Sequence, residues 1–378
     1  MFDLSSRLAL AAVLAAGLAS AVPATASAAG LVSFDGTTVT YAESSPGERN
    51  DPTLSWSASE QRVTISEDGI QAGTGCDGRD GSVSCPVGSG GVVVRTGGGD
   101  DDVGVLELSN VFPDRTLRVD LGDGDDRYSP SEGADVVTGG AGNDAISGGP
   151  GDDELDGGDG DDDLAGEQGR DTIRGGAGDD ALRADRTGEP FADVVDGGPG
   201  VDELDDYASD GDADRAPRAA VSLDGRANDG RPGEGDSVTG IERLVAGAAV
   251  TFRGDGAANA VTAAETGAAS TMDGAGGDDV LQAGDASGDR LRGGAGDDEL
   301  VGGFGDDVLA GGPGRDRLFG DRPARCNEAH CDLSGSGNDV IDARDGARDS
   351  IACGPGRDRV AADRRDVVAR DCEVVKRR

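Results

Sequence analysis

The feature that most constrains this chain is a period of nine residues. Seven nonamers follow one another without a gap from residue 121 to 183: LGDGDDRYS, PSEGADVVT, GGAGNDAIS, GGPGDDELD, GGDGDDDLA, GEQGRDTIR and GGAGDDALR. In this register position 6 is always aspartate, at Asp126, Asp135, Asp144, Asp153, Asp162, Asp171 and Asp180. Position 8 is always large and apolar or aromatic, at Tyr128, Val137, Ile146, Leu155, Leu164, Ile173 and Leu182. A fixed short period is the mark of a solenoid, in which a repeat buries its apolar residue only by stacking on its neighbours. Glycines at positions 1, 2 and 4 permit positive φ and a tight turn. A short strand then carries position 8 inward. A disordered acidic linker would have no reason to repeat Ile, Leu and Val in step with the aspartate.

The same register extends along most of the chain. It returns at GGPGVDELD with Asp202, then fades through residues 206–273, where Asn259 and Ser270 stand in place of the aspartate while Leu223, Ile241, Val250 and Val261 persist. This span is expected to continue the solenoid with few metal ligands. A second array begins near residue 274 and includes GGAGDDELV, GGFGDDVLA and GGPGRDRLF, with Asp279, Asp289, Asp298, Asp307 and Asp316 at position 6. A loop with Cys326 and Cys331 interrupts it, and the tail resumes with Asp339 and with Ile341, Ile351, Val360 and Val368 eight to ten residues apart. Before the repeats, TVTYAE, TLSWSAS and RVTIS alternate as strands do, with Trp56, Tyr41 and Phe34 as the expected core. The expected organisation is a signal peptide at 1–28, a small N-terminal β domain at 29–95, a first β-roll array at 96–205 and degenerate coils at 206–273. A second array at 274–325 and a Cys-containing cap at 326–378 complete it.

Composition narrows the function. Asp plus Glu outnumber Lys plus Arg by 75 to 34, giving a formal net charge of -41, and aromatic residues are 3%. So acidic a chain, poor in large apolar residues, repels itself and calls for cations. It lacks the basic stripe that nucleic acid requires. Arg7 precedes an apolar run from Leu8 to Leu18 and the small-residue stretch AVPATASAAG, which predicts a secretory leader cleaved after Ala26 or Ala28. The run is shorter than the roughly 20 residues of a membrane span. Six cysteines in an exported chain point to disulfides, and proximity favours Cys76 with Cys85, Cys326 with Cys331 and Cys353 with Cys372. His330 is the only histidine, which argues against zinc.

Oxygen chemistry remains. Glycine-rich turns aim successive carbonyls at one point, position 6 adds a carboxylate, and calcium takes 6–8 such hard ligands. GGAGNDAIS, GGPGDDELD and GGAGDDELV resemble the RTX, or haemolysin-type, calcium-binding repeat. The resemblance covers roughly half of the chain. It implies an all-β fold, a right-handed parallel β-roll of GGxGxDxUx repeats with two nonamers per coil. It also implies multiple calcium ions, each held between a turn and the turn two repeats on. Carried over, the metal ligands are Asp126, Asp135, Asp144, Asp153, Asp162, Asp171, Asp180, Asp202, Asp279, Asp289, Asp298, Asp307, Asp316 and Asp339. Two repeats depart from the pattern: GEQGRDTIR has Glu167 for the second glycine, and PSEGADVVT keeps one glycine of three, so weaker sites are expected there. An EF-hand at Asp210, Asp212 and Asp214 fails, because Arg215 and Val221 stand where Gly and Glu belong.

No HExxH and no GxSxG with a partner histidine is present. The expectation is therefore a secreted, extracellular, non-enzymatic calcium-binding protein with a structural or surface-interaction role. The alternatives are a secreted glycan-active enzyme or other hydrolase that uses the roll as a stabilising module, and a glycan-binding adhesin whose likeliest contact is Trp56.

Overall fold

The computed structural model describes residues 30–43, 47–57, 60–106, 116–130, 132–185, 191–206, 219–230, 234–247, 249–263, 268–284, 288–321, 326–327, 330–331 and 337–378. The expected leader and the EF-hand-like aspartates at 210–214 lie outside the described residues. Within them every regular element is a strand, and no helix is long and apolar enough to cross a membrane.

Successive strands of the repeat region lie on alternate faces, and each pairs in parallel with the strand two further along. Asp135–Ala141 pairs with Glu154–Asp159, which pairs with Thr172–Ala177, so that Val137, Leu155 and Ile173 stand in one row. On the other face Ala145–Pro150, Asp163–Gln168 and Ala181–Asp185 bring Ile146, Leu164 and Leu182 into a second row. Partners are eighteen residues apart, as in Val137 with Leu155, so two nonamers make one coil. All seven position 8 side chains of the first array are buried. This is the parallel β-roll that the repeat predicted.

The face of Ile146, Leu164 and Leu182 runs as one parallel ladder from Asp102–Leu106 to Val367–Val368, straight through the degenerate span by way of Arg243–Ala246 and Ala260–Ala263. Ile241, Val250 and Val261 are buried there, and Leu223 packs on the core at its edge. The face of Val137, Leu155 and Ile173 is divided: a ten-stranded sheet ends at Ser237–Thr239, and an eight-stranded sheet starts at Ala219–Ser222. Asp229 joins the two, accepting the Ser222 N–H at 2.6 Å and the Val238 N–H at 3.2 Å.

Both ends are closed, as an open solenoid core requires. At the N-terminal end Thr38–Glu43 pairs in parallel with Gly91–Gly98, which in turn pairs with Leu117–Asp123. An antiparallel meander of Thr53–Ser57, Arg62–Ser66 and Ser82–Pro86 adjoins the face of Ile146 and Leu164 through Asp102–Leu106. Tyr41 is fully buried here, Trp56 is buried, and Phe34 is partly buried against the same core. The Cys76–Cys85 disulfide ties this end and Cys353–Cys372 the other. Cys326 and Cys331 face each other in a short antiparallel pair.

Candidate metal centres

The turns at the two edges of the roll repeat one arrangement. The backbone N–H of a position 6 aspartate donates to Oδ1 of the aspartate one coil on, except at Asp202, whose N–H donates to Glu242 Oε2 at 2.9 Å. Along the first edge Asp126 donates to Asp144 at 2.9 Å, Asp144 to Asp162 at 2.8 Å, Asp162 to Asp180 at 2.9 Å and Asp180 to Asp202 at 2.9 Å. Along the second edge Asp135 donates to Asp153 at 2.7 Å and Asp153 to Asp171 at 2.9 Å. In the second array Asp279, Asp298 and Asp316 form one column, and Asp289, Asp307 and Asp339 the other. Every aspartate carried over from the repeat as a metal ligand is thus buried in one of two columns.

The second oxygen of these carboxylates is the unusual one. Oδ2 of Asp126, Asp144, Asp153, Asp162, Asp171, Asp180, Asp202, Asp279, Asp298, Asp307, Asp316 and Asp339 is buried with no hydrogen-bond partner among the described residues. A buried acceptor left in this way is costly, and more so when charged. Burial pushes the carboxyl groups upward: to about 6 at Asp126 and Asp162, about 7 at Asp144 and Asp316, and about 8 at Asp153 and Asp307. The N–H bond to Oδ1 opposes the shift, and neighbouring aspartates add to it. Asp135 differs, because the Tyr128 hydroxyl donates to its Oδ2 at 2.8 Å.

Position 1 glycine shapes the space that Oδ2 faces. A Cβ on Gly139 would lie 2.2 Å from Asp144 Oδ2 and 2.5 Å from the Gly157 carbonyl oxygen. A Cβ on Gly157 would meet Asp162 Oδ2 and the Gly175 carbonyl at the same two distances. Each such cradle offers a carboxylate oxygen and a carbonyl oxygen, and a side chain would fill it. Among the described residues no three His, Cys, Asp or Glu side chains converge on one point. A cation at these turns would be held by carboxylates in ones and twos together with main-chain carbonyls. That all-oxygen donor set fits calcium and lacks the nitrogen and sulfur ligands of zinc sites.

The columns contain more members than the repeat pattern named. Asp101, Asp193, Asp349 and Asp358 are buried in the same edges, each with Oδ2 unpartnered among the described residues. Asp193 accepts the Asp171 N–H at 2.8 Å across a separation of 22 residues, because an insertion displaced it from the nine-residue count. Asp349 lies in RDGARDSIA, which has no glycine at positions 1, 2 or 4, and Asp358 in CGPGRDRVA, where Cys353 replaces the first glycine. The signal that finds them is the two-residue step from a buried aspartate to a buried apolar residue, as in Asp193 to Val195, Asp349 to Ile351 and Asp358 to Val360.

Fold and site together define a parallel β-roll whose turns are oxygen-lined cation cradles. A family model of the RTX calcium-binding nonapeptide repeat matches the chain in four copies, at residues 120–155, 129–164, 156–186 and 283–318. The chain therefore carries RTX repeats in both arrays. No curated protein matches it.

Proposed function

We propose that this is an exported protein that folds on binding multiple calcium ions and serves a structural or surface-interaction role without catalysis. The observation that carries the reading is the double column of buried aspartates with an unpartnered Oδ2. A buried Leu or Ile contributes about 1.5–3 kcal/mol. A buried acceptor without a partner costs about 1–3 kcal/mol, and more when it is charged. With one apolar residue and one such carboxylate per nonamer, the core alone does not outweigh the columns. Calcium would supply the missing positive charge at each cradle, so that its binding energy becomes folding energy. Asp Oδ1 fixes the neighbouring turn through a backbone N–H, and filling one turn orders the next. Exposure outside the cell, where calcium is abundant, suits this design, and the Cys76–Cys85 and Cys353–Cys372 disulfides suit the same compartment. Trp56, on which a glycan-gripping role would rest, is buried.

Circular dichroism of the chain during a calcium titration tests the proposal. The expected result is a cooperative gain of β signal, reversed by a chelator. A chain with the full β spectrum in excess chelator would refute it.

A further inference from the structure

On the first edge of the roll, the row of residues just before the column aspartates changes sign along the chain. In the first array it reads Asp125, Asn143, Asp161 and Asp179. They stack one coil apart: the Asn143 N–H donates to Asp125 Oδ1 at 2.9 Å, that of Asp161 to Asn143 Oδ1 at 2.9 Å, and that of Asp179 to Asp161 Oδ1 at 2.8 Å. At the C-terminal end the same row reads Arg315, Arg348 and Arg365. These too lie in successive coils, because the Asp316 N–H donates to Asp349 Oδ1 at 3.0 Å and the Asp349 N–H to Asp366 Oδ1 at 3.3 Å. All seven residues of the row are exposed.

Neither end of the row finds a counter-charge within the molecule. Asp125, Asp161, Asp179, Arg315, Arg348 and Arg365 form no salt bridge among the described residues. Acidic side chains outnumber basic ones by 75 to 34, yet these three arginines have no carboxylate partner. Arg317 beside them does, meeting Glu299 at 3.2 Å. A groove of about 400 Å³ opens between Arg315 and Arg348 of the row and Arg317, Ser350 and Val367 of the adjoining strands, with Asp297 and Glu299 one coil toward the N-terminus. It leaves space for side chains of another molecule.

We propose that this row joins two copies of the chain edge to edge in an antiparallel, two-fold dimer. Its acidic and basic ends lie on one edge, along one continuous parallel ladder. A second copy turned end over end therefore brings its arginines to the aspartates of the first, and its aspartates to the arginines of the first. Such an isologous contact is closed, with both ends of both rows satisfied. The spacings agree because each is set by the distance between parallel strands, about 4.8 Å. A single exposed ion pair contributes little and is screened by salt. Several held at one spacing engage together. The net charge of -41 makes the copies repel, and calcium in the columns lowers that charge, so the dimer should form only in calcium. To that extent it rests on the calcium reading given above.

Sedimentation velocity of the full-length protein in saturating calcium reads its mass, and the parent is expected to become a dimer as its concentration rises. One variant combines Arg315→Glu, Arg348→Glu and Arg365→Glu. A second combines Asp125→Arg, Asp161→Arg and Asp179→Arg, and Arg170 and Arg315 show that this turn position accepts arginine. Each variant alone should gain the parent's calcium-induced β spectrum and stay monomeric, because like charges then face each other. Mixed in equal amounts, the two should dimerise, since every acidic row again meets a basic one. A parent that gains β structure in calcium but stays monomeric would overturn the dimer while the calcium reading stands. So would either variant dimerising alone as the parent does, or a mixture of the two folded variants that stays monomeric. A monomeric parent retained by immobilised heparin would also overturn it and assign the arginines to an anionic glycan. A parent that gains no β structure in calcium would sink both readings.

Discussion

The backbone N–H of Asp153 donates to Oδ1 of Asp171 one coil away, at 2.9 Å, while Asp153 presents its own Oδ2 to the Cα of Gly148 in the same turn. One residue therefore serves two coils. Asp153→Ala removes a carboxylate from the cradle and an acceptor from the column, since Asp153 Oδ1 also takes the Asp135 N–H. Hydrogen bonds to charged groups contribute about 1.5–3 kcal/mol, which converts to a rise in the calcium midpoint of roughly ten- to a hundredfold. The adjacent Glu154 points outward and meets Arg174 at 3.0 Å, with a half-exposed side chain. Exposed pairs contribute about 0.2–1 kcal/mol, so Glu154→Ala should move the midpoint far less. Calcium titrations of the two variants followed by circular dichroism check this, and equal shifts would contradict the column.

The metal-free chain should respond to acid in the opposite sense from most proteins. Burial raises the folded-state pKa to about 8 at Asp153 and Asp307 and to about 7 at Asp144 and Asp279, above the ordinary 3.8. A raised folded pKa favours the fold fully below the unfolded value, and that contribution is lost as pH rises through the folded value. In decalcified buffer the β signal should therefore grow as pH falls from about 8 towards about 4. With calcium the sign reverses, because the ligands must lose protons, and the calcium midpoint should rise as pH falls below about 7. A metal-free spectrum that does not change between those limits would count against the buried columns.

Glycine at position 1 is a steric requirement of the cradle. A Cβ on Gly157 would sit 2.2 Å from Asp162 Oδ2, whereas nothing lies within 4 Å of a Cβ on Gly256. Gly157→Ala should cost at least about 1–3 kcal/mol, the range for forcing atoms into a packed site, and should lose bound calcium. Gly256→Ala, at a position without positive φ, should leave both unchanged. Thermal unfolding in saturating calcium separates the two.

Glu167 carries a different cost. It replaces the position 2 glycine of its turn and is held at φ +79°, where an L side chain costs about 1–2 kcal/mol relative to glycine. Glu167→Gly should stabilise the calcium-loaded protein by about 1 kcal/mol. Equilibrium urea unfolding at fixed calcium would show this as a higher midpoint with an unchanged slope.

Much of this architecture was legible in one string of residues, for a physical reason. The solenoid repeats a local unit, so the spacing of Leu155 and Leu164 marks both as core residues, and the resemblance to RTX repeats is what implies two stacked rows. Insertions broke that count without breaking the fold. Asp193 and Asp349 kept their places in the columns because parallel pairing tolerates long loops between coils, but their register could not be read by counting nines. The seam bridged by Asp229 was invisible for a stronger reason: it depends on Ser222 and Val238 meeting across a bend that no period describes.

The degenerate span offers the most direct test of what makes a turn bind metal. Asn259 occupies a position 6 place in full: it is buried, its N–H donates to Asp279 Oδ1 at 2.8 Å, and its own Oδ1 has no hydrogen-bond partner among the described residues. A Cβ on Gly254 would lie 2.3 Å from that Oδ1 and 2.4 Å from the Gly274 carbonyl, the same cradle as at Gly139. Shape and carbonyl are in place, and only the charge is missing. A neutral amide oxygen still accepts, but calcium affinity follows ligand charge. Asn259→Asp should therefore add a bound ion, counted by native mass spectrometry. It should lower the calcium midpoint by a few-fold, because Asp279 in the next coil is ordered by the same turn. In decalcified buffer the variant should fold less readily than the parent, since it adds one more buried carboxylate beside Asp279. An unchanged ion count, with the variant folded in calcium, would mean that the cradle needs more than the carboxylate that distinguishes Asp279 from Asn259.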